Sequence, residues 1–280
     1  MPIIEIRKLS FSYAGASRKS LNDVSLQVDE GDFLVVTGPS GCGKTTLCRC
    51  LNGLVPNFYT GELTGEISVC GKSVRKESTS SLSRHVGFVF QNPENQLFSL
   101  TVERDVAFGP ENLGLIREET RRRVDWALSV TGIEELRDRA PYELSGGQQQ
   151  RAAIASVLAM RPDIIVLDEP TSFLDPRSSK EILQVVAKLN KELGMTVFLV
   201  EHRLDLATRY SNRVVVMDRG SIVLDGPPED VYGEQAHLIG IGMPKVTVLF
   251  RLLKQDGIEV LKTPVTVEAG VEELRRILRS

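Results

Sequence analysis

The chain lacks the marks of several large protein classes. No apolar run approaches the roughly 18 residues needed to span a bilayer, so no membrane span is expected in it. The N-terminus, MPIIEIRKLS, carries charges inside any would-be apolar stretch, so it does not read as a secretory signal, and the chain is expected to be made and kept in the cytoplasm. There is no basic excess. The net charge is −3, which argues against a nucleic-acid partner. Cysteines are few: Cys42, Cys48, Cys50 and Cys70, with no C-x-x-C pair of zinc-site spacing. They read as reduced thiols, since disulfides are rare in the cytosol. Internal repeats are not evident, and each motif described below occurs once. What remains is ordinary: 280 residues, 41% hydrophobic and 25% charged, a globular balance with length for one large core or two smaller ones.

The apolar run FLVVTG (33–38) reads as a buried strand. GPSGCGKTT follows at once, and LCRCLNGL continues with helical character. Gly38, Gly43, Lys44 and Thr45 fill the pattern G-x-x-x-x-G-K-[ST]. In such a loop, Gly38, Pro39, Ser40, Gly41, Cys42, Gly43, Lys44, Thr45 and Thr46 wrap around the phosphate oxygens, all but Pro39 with a backbone N–H to offer, and the helix start adds its positive dipole. Lys44 has the reach for the β- and γ-phosphates, and the Thr45 hydroxyl suits Mg²⁺. The bland alternative is a glycine-rich turn that happens to match, but the strand before it and the helix after it speak against that.

A second strand, DIIVLDEP (163–170), ends in two carboxylates. Ligands of open parallel sheets bind beyond the carboxyl ends of the strands, so Asp168 and Glu169 are expected beside the phosphates. Adjacent strand residues face opposite ways. Asp168 is the candidate Mg²⁺ partner, and Glu169 is left to orient or deprotonate an attacking water. The alternative is a pair of solvated strand-end acids. A third strand, MTVFLVEH (195–202), ends in His202, one of three histidines, placed to hydrogen-bond a γ-phosphate if its strand neighbours the acid strand.

LSGGQQQRAAIASVLAMRP (144–162) opens a long helix with Ser145, Gly146, Gly147 and Gln148, a second anion-binding helix start. One nucleotide needs one cradle, so a second suggests service to another subunit's nucleotide. With GPSGCGKTT, the glutamine of VFQN, IIVLDEP, SFLD and the VEH histidine, in that family's order over roughly residues 1–230, the chain resembles the ATP-binding cassette (ABC) ATPases. The resemblance implies an α/β P-loop ATPase with a RecA-like core, an antiparallel β subdomain, a helical subdomain at about 92–160 and ATP with Mg²⁺ as cofactors. It further implies that Tyr13 stacks on adenine, that Gln91 touches Mg²⁺ and the attacking water, and that Asp175 communicates across a head-to-tail dimer in which LSGGQ of one cassette closes over the cradle of the other. Two positions depart from the commonest forms: VEHRLD replaces T-H-D around the histidine, and Phe173 stands where a small residue is usual. Neither removes a catalytic group, so hydrolysis is expected.

FQNPENQLFSLTVERDVAFGPENLGL (90–115) begins at the nucleotide-sensing glutamine and mixes turn residues with large apolar ones. Exposed Leu97 and Phe98 are expected to grip a short helix of a membrane subunit, because large uncovered apolar patches are unusual. The other reading has Leu97, Phe98 and Phe108 filling the core between subdomains. The charged run Arg117 to Arg123 then leads into VDWALSVTGI, an amphipathic helix. The wording NPENQLF and AFGPENLGL is similar to that of energy-coupling-factor (ECF) importer ATPases. So is the tail, whose pattern predicts two or three short helices with apolar faces at Leu249, Leu252 and Leu253, then Val271, Leu274 and Ile277. The division expected is 1–233 for the nucleotide-binding domain and 234–280 for a small helical dimerisation region. The alternative for the tail is packing on its own cassette.

These readings converge on an ATPase that works as a homo- or heterodimer at the cytoplasmic face of a membrane. Its expected partners are a transmembrane coupling subunit and a small substrate-binding membrane subunit, which import a vitamin or transition-metal ion. A conventional importer that uses an external binding protein is the competing reading. Chromosome-maintenance relatives would carry long coiled coils or zinc cysteines, translation-factor relatives would carry two cassettes, and exporters often fuse the membrane domain.

Overall fold

The computed structural model describes residues 2–232 and 242–279. In chain order the main elements are β1 (Pro2–Tyr13), β2 (Leu21–Asp29), β3 (Phe33–Thr37), α1 (Lys44–Leu51), β4 (Gly61–Val69), β5 (Lys72–Ser73), β6 (Val86–Val89), α2 (Val102–Asn112), α3 (Arg117–Thr131), α4 (Gly146–Leu158), β7 (Ile164–Asp168), α5 (Pro176–Leu193), β8 (Thr196–Val200), β9 (Arg213–Asp218), β10 (Ser221–Gly226), α6 (Lys245–Gln255) and α7 (Val267–Ile277). The strands form two sheets. One is antiparallel in the order β2-β1-β4-β5, and the other runs β10-β9-β3-β8-β7-β6, parallel except for the β10 edge.

Strands buried on both faces read as continuous apolar runs, and here successive residues serve different cores. Val35, Ile165, Leu167, Val197 and Leu199 face a core shared with α2, α3, α4 and α5. Leu34, Val36, Ile164, Val166, Phe198 and Val200 face a second core closed by α1 and the antiparallel sheet. The fold is α/β, with the parallel core, antiparallel β subdomain and helical layer that the motifs predicted. The predicted neighbouring of the acid and histidine strands holds: β8 pairs with β7 on one side and β3 on the other. All four cysteines are free, and Cys42, Cys48 and Cys50 are buried.

The loop after β6 is stapled at both ends. The Gln96 amide accepts from Phe90 N at 3.1 Å and donates to Phe88 O at 3.3 Å. Buried Asp105 accepts from Phe98 N and Ser99 N, both at 3.1 Å. Leu97 corrects the expectation of exposure: it is 8% exposed and belongs to the helical core. Holding Leu97 in and the next two amides on Asp105 turns Phe98 outward. Phe98 is 67% exposed and meets Phe108 edge-on, with ring centroids 4.9 Å apart.

The tail forms two helices among the described residues, while the start of the expected 234–280 region lies partly outside them. Phe250 and Thr247 of α6 are buried, Gly270 of α7 sits against Val246 and Phe250, and Thr247 Oγ1 donates to Pro264 O at 2.8 Å. Asp205 accepts from Lys245 N at 2.6 Å, and Arg209 pairs with Glu268 at 2.9 Å, so the tail also touches its own cassette. The predicted apolar residues are not the buried ones. Leu249, Leu252 and Val271 are exposed, and Leu253, Leu274 and Ile277 are half-buried.

Gly87 of β6 lies under α4. A Cβ there would come within 2.2 Å of Val157 Cγ1 and 2.9 Å of Pro162 Cγ. Gly87→Ala is therefore expected to destabilise the chain by about 1–3 kcal/mol, read as a lowered thermal unfolding midpoint; an unchanged midpoint would show that α4 yields freely.

Candidate active site

The loop between β3 and α1 is shaped by close approach. A Cβ on Gly38 (φ 144) would lie 2.0 Å from Met217 O, and one on Gly43 (φ 110) 2.4 Å from Ser20 O. Neither place admits a side chain, so the backbone can close tightly. Helix α1 starts at Lys44 with no side-chain cap and no acidic residue in its first turn, leaving its N-terminal donors for an anion. Lys44 is buried, and its ammonium donates to Gly38 O at 2.9 Å and Pro39 O at 3.0 Å. A cavity of about 720 Å³ lies beside the loop, lined in part by Pro39, Ser40, Gly41 and Cys42 with the cations Arg18, Lys19 and Arg219. Thr46 Oγ1 and Tyr13 Oη are 3.1 Å apart, and Tyr13 also accepts from Arg49 at 3.2 Å and packs edge-on against Phe11 and Tyr59.

Thr45 donates from Oγ1 to Asp168 Oδ1 at 3.2 Å, joining the loop to the end of β7. Burial raises the Asp168 carboxyl above its ordinary range, and the Thr45 hydrogen bond opposes this. A hydroxyl beside a desolvated carboxylate is a hard oxygen pair suited to Mg²⁺.

Glu169 follows in the left-handed region (φ 51), with its amide on Val200 O at 3.0 Å. Such a backbone is uncommon outside glycine and concentrates at functional sites. It sets the carboxylate among three donors: Gln91 Nε2 at 3.0 Å and Ser172 Oγ at 3.0 Å on Oε2, and His202 Nε2 at 3.0 Å on Oε1. Gln91, Asp168, Glu169 and His202 thus converge as expected.

Ser145–Gln148 and Asp175 stand elsewhere and do not line the cavity beside the loop. Ser145 caps α4 reciprocally with Gln148, at 3.4 and 2.9 Å. Gly146 and Gly147 lie close to Leu174 and Ser178. Asp175 caps α5 through Arg177 N and Ser178 N, at 2.9 and 3.0 Å, and these bonds, with that of the Ser178 hydroxyl, hold its carboxyl below the usual range.

Two residues not singled out as site residues, Glu201 and Arg203, bind these parts together. Glu201 is 1% exposed; its Oε2 accepts from Thr171 Oγ1 at 2.6 Å, and its Oε1 accepts from His202 N at 2.8 Å and Arg203 N at 3.0 Å. Arg203 donates to Ser179 Oγ at 2.6 Å and Leu174 O at 2.8 Å. The loop of His202 is thereby clamped to the loop of Asp175. The available signal was the departure VEHRLD itself, with a glutamate before the histidine and an arginine after it.

A profile of the family described as "ABC transporter" matches residues 21–172. A Pyrococcus abyssi protein with the provisional name of ABC transporter ATP-binding protein is 45% identical over 281 residues, covering 100% of both chains. A Pyrococcus horikoshii protein with a similar provisional name is 45% identical over 98% of this chain and 97% of its own. Among solved structures, cbiO1 from Clostridium perfringens, described as part of the ABC transporter complex cbiONQ, superposes with a TM-score of 0.76 at 35% identity, covering 92% of this chain and 99% of its own. A dimeric, post-hydrolysis structure of the cassette MJ0796 bound to ADP and Pi has a TM-score of 0.70 at 30% identity, covering 80% of this chain and 98% of its own.

Arg203→Ala removes the clamp without changing the chemistry of any group around Glu169, and frees the His202 loop to shift. ATP turnover is expected to fall about 10–100-fold in kcat, the scale of a misplacement of about 1 Å, with nucleotide affinity kept. Steady-state kinetics with a nucleotide-binding titration checks this, and an unchanged kcat would make the clamp structural only.

Proposed function

This chain belongs to the ABC transporter ATP-binding proteins and is an ATPase; from that premise we propose that it powers an ECF-type importer of a vitamin or transition-metal ion from the cytoplasmic face of the membrane. The observation that carries this reading is the reach of the cbiO1 likeness. It covers 92% of the chain, against 80% for MJ0796, so it extends past the shared cassette into the tail. No described helix is long and apolar enough to cross a membrane, so the path for the cargo is assigned to partner subunits. The exposed Phe98–Phe108 pair is assigned to a helix of the coupling subunit. The exposed apolar residues of α6 and α7 are assigned to a second ATPase.

In this reading the amides of residues 38–46 and Lys44 hold the triphosphate, and Tyr13 stacks on adenine. Thr45, Asp168 and Gln91 would hold Mg²⁺, which when bound would supply neutralisation of phosphate charge. Glu169 takes a proton from the attacking water, which Gln91 orients, and His202 hydrogen-bonds the γ-phosphate. Ser145, Gly146, Gly147 and Gln148 close over the cradle of the partner ATPase, and Asp175 reports across the interface.

Glu169→Gln keeps the shape but loses the base, and one of the two oxygens that accept from Gln91, Ser172 and His202 becomes a donor. Turnover is expected to fall about 10²–10⁴-fold, with ATP still bound and an ATP-dependent dimer emerging in size-exclusion chromatography. Full turnover would remove Glu169 as the base. Affinity capture from gently solubilised native membranes tests the transporter type. One coupling subunit with small, very hydrophobic partners is expected, whereas a pair of conventional permeases would assign the chain to a binding-protein-dependent importer.

A further inference from the structure

Far from the phosphate loop, at the amino ends of the parallel strands, three unlike donors converge. Cys70 is the first residue of the two-residue turn between β4 and β5. Both turn residues are left-handed (φ 50 at Cys70 and 72 at Gly71), a conformation for which hairpins favour Asn-Gly or Asp-Gly. Its amide donates to Ile3 O at 2.7 Å, which fixes the turn on β1. His85 immediately precedes β6, and Asp163 immediately precedes β7. The His85 carbonyl accepts from Ile164 N at 2.9 Å, and the Asp163 carbonyl accepts from Thr196 N at 3.2 Å. The backbone therefore holds all three residues in place.

His85 Nδ1 lies 2.7 Å from Asp163 Oδ2, and Cys70 Sγ lies 3.9 Å from the same oxygen. All three donor atoms lie within 4.8 Å of one another. The histidine–aspartate pair accounts for the first contact and a thiol hydrogen bond to the same oxygen for the second, and together they bring three different kinds of metal donor to one point. One sulfur, one imidazole nitrogen and one carboxylate oxygen, with solvent available for a fourth position, form a mixed set that suits zinc over calcium or magnesium. The Asp163 side chain is 54% exposed and that of His85 29%, so an ion can enter from solvent.

We propose that Cys70, His85 and Asp163 form a site for a zinc-type divalent cation, which pins the β4–β5 hairpin of the antiparallel subdomain to the first turns of β6 and β7. The ion binds the thiolate, so Cys70 releases its proton to solvent on loading. Occupancy therefore rises with pH.

The probe is Co²⁺, titrated into the full chain after reduction and removal of metals. One equivalent is expected to bind, with a thiolate-to-cobalt charge-transfer band and visible bands of low-symmetry coordination, and Zn²⁺ is expected to displace it. Zn²⁺ should also raise the thermal midpoint of the wild-type chain. Cys70→Ser should remove the charge-transfer band and the thermal shift together. Asp163→Asn and His85→Gln should each weaken Co²⁺ binding, which keeps the test intact if Cys70→Ser folds poorly. Absence of the charge-transfer band in the wild-type chain, or its persistence in folded Cys70→Ser, would overturn the site and leave only a histidine–aspartate pair beside a half-buried thiol.

Discussion

The chemistry of this protein hangs on the register of three parallel strands. Val36 of β3 pairs with Val200 of β8, and Val200 pairs with Asp168 of β7. β7 and β8 end at this row and β3 one residue past it, and each continues into a segment of the candidate site: the phosphate loop from β3, Glu169 from β7, His202 from β8. Because both faces of the sheet are buried, slipping any strand by one residue would exchange its two sets of core side chains. Val36, Val200 and Val166 would leave one core while Val35, Leu199 and Leu167 left the other. The apolar packing that stabilises the sheet therefore also sets the alignment of the catalytic groups.

From that row the contacts run outward along one short stretch of chain. Glu169 holds Gln91, and Gln96 holds Phe90 and the end of β6. Leu97 is buried in the helical layer, and Phe98 emerges on Asp105. Between the carboxylate and the exposed aromatic pair there is little slack to absorb a change at Gln91. The second outward path is the Arg203 clamp, which joins the His202 loop to the cap of α5. Both paths start at Glu169, the group that takes the proton of the attacking water in the proposed reaction.

Most of the candidate site was legible in the motifs because each is local: a strand, a turn and a helix start written in consecutive residues. Asp168, Glu169, Gln91 and His202 could be placed together because strand ends of a parallel sheet share an edge. Relations between distant segments were much less legible. Leu97 looked exposed beside turn residues, but a buried carboxylate seven residues past Phe98 decides which of the two neighbours turns inward. The tail residues were grouped by periodicity, which finds an apolar face without saying whether this chain covers it. Arg203 and the Cys70–His85–Asp163 cluster depend on segments up to 93 residues apart, and no local pattern announces such meetings.

The two helix starts that resemble anion sites are not equivalent. That of α1 has a glycine cap without a side-chain bond, so its donors are unclaimed. That of α4 is already engaged, with Ser145 and Gln148 capping each other. An anion arriving there gains the amides of Gly146 and Gly147 but competes with the Ser145 cap, an interaction worth about 1 kcal/mol. A single mobile phosphate has little to offset that loss. A triphosphate already fixed by Lys44 and α1 of a facing chain has lost its own freedom beforehand, so only the joining of the two chains, which their other contacts share, remains to be offset. In the proposed dimer the order of events follows from this asymmetry. ATP loads on the α1 side of one chain first, and the α4 side of the other closes onto it afterwards.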